Sequence, residues 1–168
     1  MRSFDSTPLT AEHIGRLLWA AQGVTSEWGG RTAPSAGALY PLEVFVVTAD
    51  GVDRYLPDSH RLEQVAAGEG ADRVEVAALD QEALRSAPAV FVIAAEFART
   101  EGRYGDRAQR YVHLEAGHAA QNLLLQAVDL GLGAVPIGAF DDAAVQEVLG
   151  LPSGWVPLYL IPVGVPGD

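Results

Sequence analysis

Residues 111–125 read Tyr111-Val-His-Leu-Glu-Ala-Gly-His-Ala-Ala-Gln-Asn-Leu-Leu-Leu125, and the rest of the chain is arranged around how that run folds. Small residues (Ala116, Gly117, Ala119, Ala120) and large apolar ones (Leu123, Leu124, Leu125) fall on consecutive faces. The pattern predicts one helix from about Arg103 to Leu130, roughly 40 Å long at about 1.5 Å per residue. A helix apolar nearly all round is expected to be buried on all sides. Gly117 costs about 1 kcal/mol against Ala in mid-helix, which makes sense where another backbone packs closely. The central helix of a monomer would carry the same pattern. The preferred reading is a helix shared between the core and a two-fold interface.

Upstream, Ala89-Val-Phe-Val-Ile-Ala94 is the clearest strand, and Leu42 to Val47 is a second, β-branched one. Asp50-Gly51 predicts a hairpin turn, with Val52 to Leu56 as the returning strand. Thr10 is placed to cap a helix to Gln22, whose apolar positions Ile14, Leu17, Leu18 and Ala21 recur at helical spacing. Residues 24–34 read as loop, Ser35 to Tyr40 as a short helical turn, and Gln81 to Ser86 as a short helix. The weakly patterned stretch 58–80 is expected to hold one or two short helices. Downstream come a short strand (Ala134 to Ile137), a helix capped by Asp141 and ending at Leu149, and a closing strand from Leu158 to Val163. One hairpin and one dominant helix without βαβ alternation make an α+β chain. With 168 residues and no repeat or linker, one domain over 1–168 is expected.

Composition narrows the chemistry. The formal net charge is −11, which disfavours nucleic acid and anionic membrane surfaces as partners. There is no Lys, so pyridoxal Schiff bases, Walker-type phosphate loops and Ser–Lys nucleophile pairs are excluded. There is no Cys, which removes disulfides, thiol catalysis and thiolate metal sites. Met1 to Leu9 has no apolar h-region and no run is long enough to span a membrane, so the expected location is the cytoplasm.

Four constellations compete for the function. Gly131-Leu132-Gly133 with Gly138 ends a helix and opens a strand, the reverse of a Rossmann loop. Ala33-Pro34-Ser35-Ala36-Gly37 approximates a nucleophile elbow, but no strand precedes the Ser. Ser35 at a helix start is better suited to grip an acceptor-rich ligand edge with its hydroxyl and nearby free N–H groups. His113 and His118 are five apart, share no helix face well, and read as structural rather than metal-binding. Arg99, Arg103, Arg107 and Arg110, with Tyr104 and Tyr111, concentrate positive charge on an acidic chain. They form either a solvated face with internal ion pairs or a site for a phosphate or acidic group.

Three segments together carry a resemblance. They are Arg31-Thr-Ala-Pro-Ser-Ala-Gly-Ala-Leu-Tyr-Pro-Leu-Glu-Val44, Tyr111 to Leu123, and Leu130-Gly-Leu-Gly-Ala-Val-Pro-Ile-Gly-Ala-Phe-Asp-Asp142. Leu17 to Val24 is similar to the first helix of the same family, and Pro162-Val163-Gly164 to its last strand. Over nearly the whole chain the sequence resembles the nitroreductase superfamily, within it the SagB-type, azoline-oxidase-like dehydrogenase branch. The resemblance implies a mainly antiparallel sheet flanked by helices, with a long interface helix and a homodimer holding FMN between its subunits. It assigns Pro34, Ser35, Ala36 and Gly37 to one edge of the flavin. Pro136, Ile137, Gly138 and Ala139 lie, by the same resemblance, against the other subunit's flavin near N5. Backbone N–H groups there would stabilise the charge of reduced flavin. Gln81 is assigned to the pyrimidine end.

The branch's Lys–Tyr pair, implicated in removing a substrate proton, is matched by Arg110-Tyr111. Arg is too basic to abstract a proton, so Arg110 would position or polarise and Tyr111 would carry the proton. The family's opening Arg-Arg-Ser, which binds the FMN phosphate, is matched only by Arg2-Ser3, and Val165 stands where a basic residue is usual. Arg31, Arg107 and Arg110 are the candidates to compensate. The expected function is transfer of hydride or electrons through FMN, by a ping-pong scheme, to or from an azoline-like heterocycle, quinone or nitroaromatic. NAD(P)H is a possible donor. Two other readings are a flavin-poor family member acting as a partner subunit and a serine hydrolase using Ser35.

Overall fold

The structure is a computed structural model that describes residues 3–68 and 81–167. Among these, one sheet contains β1 (Leu42–Thr48), β2 (Gly51–Leu56), β3 (Arg61–Ala67), β4 (Ala89–Glu96), β5 (Gly133–Ala134) and β6 (Trp155–Gly164). The order is β3-β2-β1-β4-β6-β5, with every neighbouring pair antiparallel. The helices are α1 (Ala11–Gln22), α2 (Glu82–Ser86), α3 (Ala98–Tyr104), α4 (Ala108–Asp129) and α5 (Asp142–Leu149). This is the expected α+β architecture around a long helix.

Side chains alternate across a strand, and both faces of β1 and β4 are buried. Val44, Val46, Phe91 and Ile93 face Leu17 and Leu18 of α1 and Ala116, Ala119 and Leu123 of α4. Phe45, Val47, Val90 and Val92 face Leu84 of α2 and Val145 and Leu149 of α5. The two-sided covering explains why β1 and β4 read as unbroken apolar runs. Both expected caps are present. Thr10 Oγ1 accepts from the His13 amide at 3.1 Å, and Asp141 Oδ1 from the Ala144 amide at 3.0 Å, each satisfying an orphan donor of a first helical turn.

The long helix differs from expectation in two ways. It does not run unbroken from Arg103, because Gly105 adopts φ 52° and ψ −134°, a conformation open to glycine and costly for other residues. The chain forms α3, then a 3-10 turn over Gly105–Arg107, then the 22 residues of α4, about 33 Å of helix. Nor is α4 buried all round. Leu125 is 60% and Val128 74% exposed, and Leu114 is exposed on the same side.

Within the stretch 58–80, expected to hold one or two short helices, residues 61–67 instead form β3 as an exposed edge strand held by pairing with β2; 69–80 lie outside the described residues. The strand expected at 134–137 is the two-residue β5, followed by a separate bridge between Ile137 and Leu160. No helix among the described residues is long and apolar enough to cross a membrane.

Candidate active site

The turn after Ala33 is strained and held from several sides. Gly37 (φ 64°), Ala38 (φ 55°) and Tyr40 (φ 47°) all sit at positive φ. Such conformations cost a non-glycine residue roughly 1–2 kcal/mol and persist only when surrounding structure fixes them. Here the fixing groups are visible. The Tyr40 amide donates to Ser35 Oγ at 2.9 Å, and the Tyr40 carbonyl accepts from Arg99 at 3.0 Å. Its hydroxyl accepts from the Arg31 amide at 3.3 Å, and the Arg31 guanidinium lies 4.6 Å from the ring centroid. The amides of Ala36 and Gly37 meet no protein acceptor among the described residues.

Two buried glutamates stand behind this turn. Glu43 of β1 binds Arg54 at 3.0 Å and Arg99 at 2.7 Å, and Arg99 also pairs with Glu96. Burial acts to lower the Arg99 pKa, but the hydrogen bonds and charges of Glu43 and Glu96 outweigh it and raise the value. Glu115 of α4 is 2% exposed and its Oε1 has no partner. Burial pushes its carboxyl up to about 7, against a side-chain hydrogen bond with Ser35 and the charge of Arg31, which both pull it down. Arg31 is itself bonded to Gln22 Oε1 at 3.0 Å.

α3 and the start of α4 overhang the turn. A Cβ added at Gly37 would lie 2.8 Å from the Tyr104 hydroxyl and 3.1 Å from an Arg103 guanidinium nitrogen. Tyr104 packs edge-on against Tyr111, ring centroids 5.0 Å apart. Arg110 and Tyr111, matched to the family's Lys–Tyr pair, are neighbours on α4. Arg107 Nε donates to the Tyr111 hydroxyl at 3.1 Å. Residues four apart on a helix face each other, which brings Arg107 and Tyr111 together. Arg110 is exposed.

The second group of expected residues assembles elsewhere. Gln81 Nε2 donates to the Ala139 carbonyl at 2.8 Å, joining positions 58 apart in sequence. The Ile137 amide and carbonyl are both used by Leu160, at 2.8 and 3.0 Å, and its side chain enters the core. Gly138 and Ala139 are exposed, with amides that meet no acceptor among the described residues. Pro136 is also exposed. Gly138 and Phe140 line a cleft of about 1250 Å³ whose other walls include Phe97, Gln109, His113 and Tyr159. Nothing lies within 4 Å of a Cβ built on Gly138, so that side of the cleft is open.

Arg2 lies outside the described residues. Its neighbour Ser3 accepts from the Gly167 amide at 3.2 Å, and the Phe4 amide donates to Ser86 Oγ at 3.1 Å. The start of the chain thus reaches the end of the short helix that Gln81 opens. His113 and His118 are both exposed, and His113 meets Phe97 edge-on. No histidine hydrogen-bonds to Ser35 among the described residues; its hydroxyl accepts from the Tyr40 amide. A nucleophilic serine needs an imidazole or other base aimed at it, and no such imidazole is in place here.

Sequence reasoning missed Glu115 and Tyr104. Glu115 is a lone acid within an apolar helix, which was a usable signal, since a charge among alanines and leucines requires a partner. Tyr104 gave none beyond its place in the arginine cluster.

A Methanocaldococcus jannaschii protein described as a candidate nitroreductase is 45% identical over 170 residues, covering 98% of this chain and 85% of its own length. The trifolitoxin-processing protein TfxB of Rhizobium leguminosarum is 29% identical over 76% of the chain, which spans 37% of it. A crystal structure of a candidate nitroreductase from Ralstonia eutropha superimposes with a TM-score of 0.88 at 28% identity, covering the whole chain and 79% of its own. The Escherichia coli microcin synthetase McbBCD complex does so with 0.87 at 28% identity, covering 99% of this chain and 68% of the matched one. The family model described as the Nitroreductase family matches residues 1–165, and the chain belongs to that family.

Proposed function

We propose that the protein is an FMN-dependent oxidoreductase of the SagB-type branch that works as a homodimer, with each flavin held between two subunits. The observation that carries this reading is the pairing of free amides at Ala36 and Gly37 with free amides at Gly138 and Ala139, the latter beside an open cleft. These are donor-rich backbone edges of the kind a planar, acceptor-rich ring system needs. FMN supplies two-electron transfer when bound. The residues of this chain do the rest. Ser35 and the 36–37 amides hold one ring edge, Gln81 steadies the 138–139 backbone that holds the other, and Gly138 leaves the ring face accessible. Tyr111, oriented by Arg107, is the group placed to move a substrate proton. Arg107 and Arg110 are the exposed cations available to a phosphate.

The exposed stripe on α4 supports the dimer. Leu114, Gly117, Gln121, Leu125 and Val128 repeat at intervals of three and four and so share one helix face. A Cβ at Gly117 would meet nothing within 4 Å among the described residues, which leaves room there for the close approach of a second subunit. A small heterocycle in a modified peptide is the substrate class favoured by the likeness to TfxB and to the microcin synthetase complex. The test is purification and spectroscopy. A dimeric, yellow protein that releases FMN on heating is expected. A colourless protein that micromolar FMN cannot saturate would overturn the proposal.

A further inference from the structure

We propose that the gap between α1 and the β2–β3 hairpin is a second binding site, which takes a small apolar carboxylate: a compact hydrocarbon body with one anionic end. The site stands apart from the flavin reading above and does not depend on it.

The cavity measures about 260 Å³ and shares no lining residue with the large cleft beside Gly138. Ile14 and Leu18 face it from α1, four apart on one side of the helix, with Gly15 next to them. Tyr55 and Leu62 face it from the sheet, where they are cross-strand partners of β2 and β3. An apolar cavity of about 150 Å³ already takes a benzene ring, so a six-membered ring with its substituent fits here. Gly15 keeps that room open. Glycine is less favourable than alanine inside a helix, yet nothing in the chain demands it at this position. A Cβ there would have His60 Nε2 as its neighbour at 3.7 Å, an ordinary contact. Alanine would fit, and its main effect would be to shrink the cavity.

The polar end is built by His60 and Arg61. His60 lies at φ 50°, a left-handed conformation that persists only where surrounding structure holds it. Tyr55 supplies the hold. Its hydroxyl meets His60 Nδ1 at 2.8 Å, and the two rings pack edge-on with centroids 5.7 Å apart. Burial pushes the Tyr55 hydroxyl up to about 12, outweighing the charge of Arg31. It therefore keeps its hydrogen and donates it to Nδ1. A neutral imidazole has one N–H, so an accepting Nδ1 leaves that hydrogen on Nε2. Nε2 is the atom turned toward Gly15, and nothing accepts from it among the described residues. Arg61 lies on the rim, exposed and without an ion pair among the described residues. The acids nearby in sequence are engaged elsewhere or off the cavity wall. Glu12 pairs with Arg16 at 2.7 Å, Glu63 reaches Arg54 at 4.0 Å, and Asp58 does not line the cavity. An N–H donor and a free guanidinium above an apolar floor are the complement of a carboxylate on a small hydrocarbon.

The test uses cyclohexanecarboxylate, whose saturated ring has no flat face to stack on a flavin. It is titrated into the protein with and without excess FMN and followed by methyl NMR. Shifts are expected at the methyl groups of Ile14, Leu18 and Leu62, with the same dissociation constant in both conditions. Cyclohexylmethanol, the neutral counterpart, should bind about fivefold more weakly. Arg61→Gln should weaken the carboxylate by a similar factor and leave the alcohol unchanged. Gly15→Leu should abolish the shifts by filling the cavity. Arg61 is exposed, so its variant remains informative even where the added leucine disturbs α1. Absence of shifts at these methyl groups with about 10 mM carboxylate would overturn the site. Equal affinity for acid and alcohol, or an Arg61→Gln protein that binds the acid as wild type does, would overturn its preference for an anion.

Discussion

Glu43 and Glu115 are both buried acids behind the same turn. Glu43 reaches it through Arg99, which holds the Tyr40 carbonyl; Glu115 has no hydrogen-bond partner at Oε1. Their surroundings differ. Glu43 has two guanidiniums within 3.0 Å, whereas Glu115 has a nearby charge and one oxygen with no partner. A buried charge fully paired inside the chain is there for the fold. One left short of partners has its requirement unmet within the described residues. The contrast sorts residues by where their requirement is met, inside the molecule or outside it.

The largest expected effect breaks the first half of that contrast. Arg99→Ala strips Glu43 of its closest partner and releases the Tyr40 carbonyl. Removing one side of a buried pair typically costs about 3–5 kcal/mol; Arg54 still holds Glu43 and Arg99 is partly exposed, so urea unfolding at pH 7 should show a smaller loss of about 1–3 kcal/mol. A loss under about 1 kcal/mol, the usual worth of an exposed pair, would mean that Glu43 is not a buried charge in need of Arg99.

Next comes Glu115, where the sign matters. Its carboxyl titrates near 7 in the folded chain against a model value of 4.5. Between those limits the folded state keeps the proton that the unfolded state has released. Stability is thus fully present below about pH 4.5, falls as pH rises toward 7, and levels off above. The difference amounts to about 3 kcal/mol at most. Unfolding curves of wild type and Glu115→Gln taken from pH 4.5 to 8 should diverge steadily, with the Gln variant gaining relative to wild type as pH rises. Parallel curves would show that Glu115 is not buried as an acid.

The same sorting explains what could be read from the sequence. Thr10, Asp141 and the Asp50-Gly51 turn act on neighbours within a few residues, so their roles were legible without any fold. β1 and β4 were legible because burial on both faces leaves an unbroken apolar run. β3 was not, because Arg61-Leu-Glu-Gln-Val-Ala-Ala67 is an exposed edge strand rich in residues with no strand preference, and only pairing with β2 makes it one. The helix break at Gly105 was missed because a single glycine in a helical pattern is usually tolerated. In the site, the 34–37 and 136–139 segments stood out as contiguous motifs. The Gln81–Ala139 contact could not, since it joins residues more than fifty apart.

Two glycines repeat the contrast at smaller cost. Gly37 has its reasons inside the chain, a φ of 64° and the Tyr104 hydroxyl 2.8 Å from where a Cβ would lie. Gly37→Ala should cost about 1–2 kcal/mol from the left-handed conformation and weaken FMN binding as Tyr104 is pushed aside. Thermal unfolding and flavin titration read the two effects separately, and an alanine tolerated in both would show that the turn is not held as described.

Gly117 has no such reason, which gives the smallest effect and the sharpest test of an external one. Its Cβ would meet nothing within 4 Å, and glycine in mid-helix is worse than alanine by about 1 kcal/mol. For the chain alone, Gly117→Ala should therefore be stabilising. If another subunit's backbone packs against this face, the added methyl groups meet across the two-fold axis and weaken association. The expected outcome has opposite signs in two measurements: urea unfolding at low concentration shows a gain of up to about 1 kcal/mol, while sedimentation shows a weaker dimer. Should the variant be more stable and equally dimeric, the glycine is not an interface requirement, and the two-fold contact must lie on a different part of α4 or off it altogether.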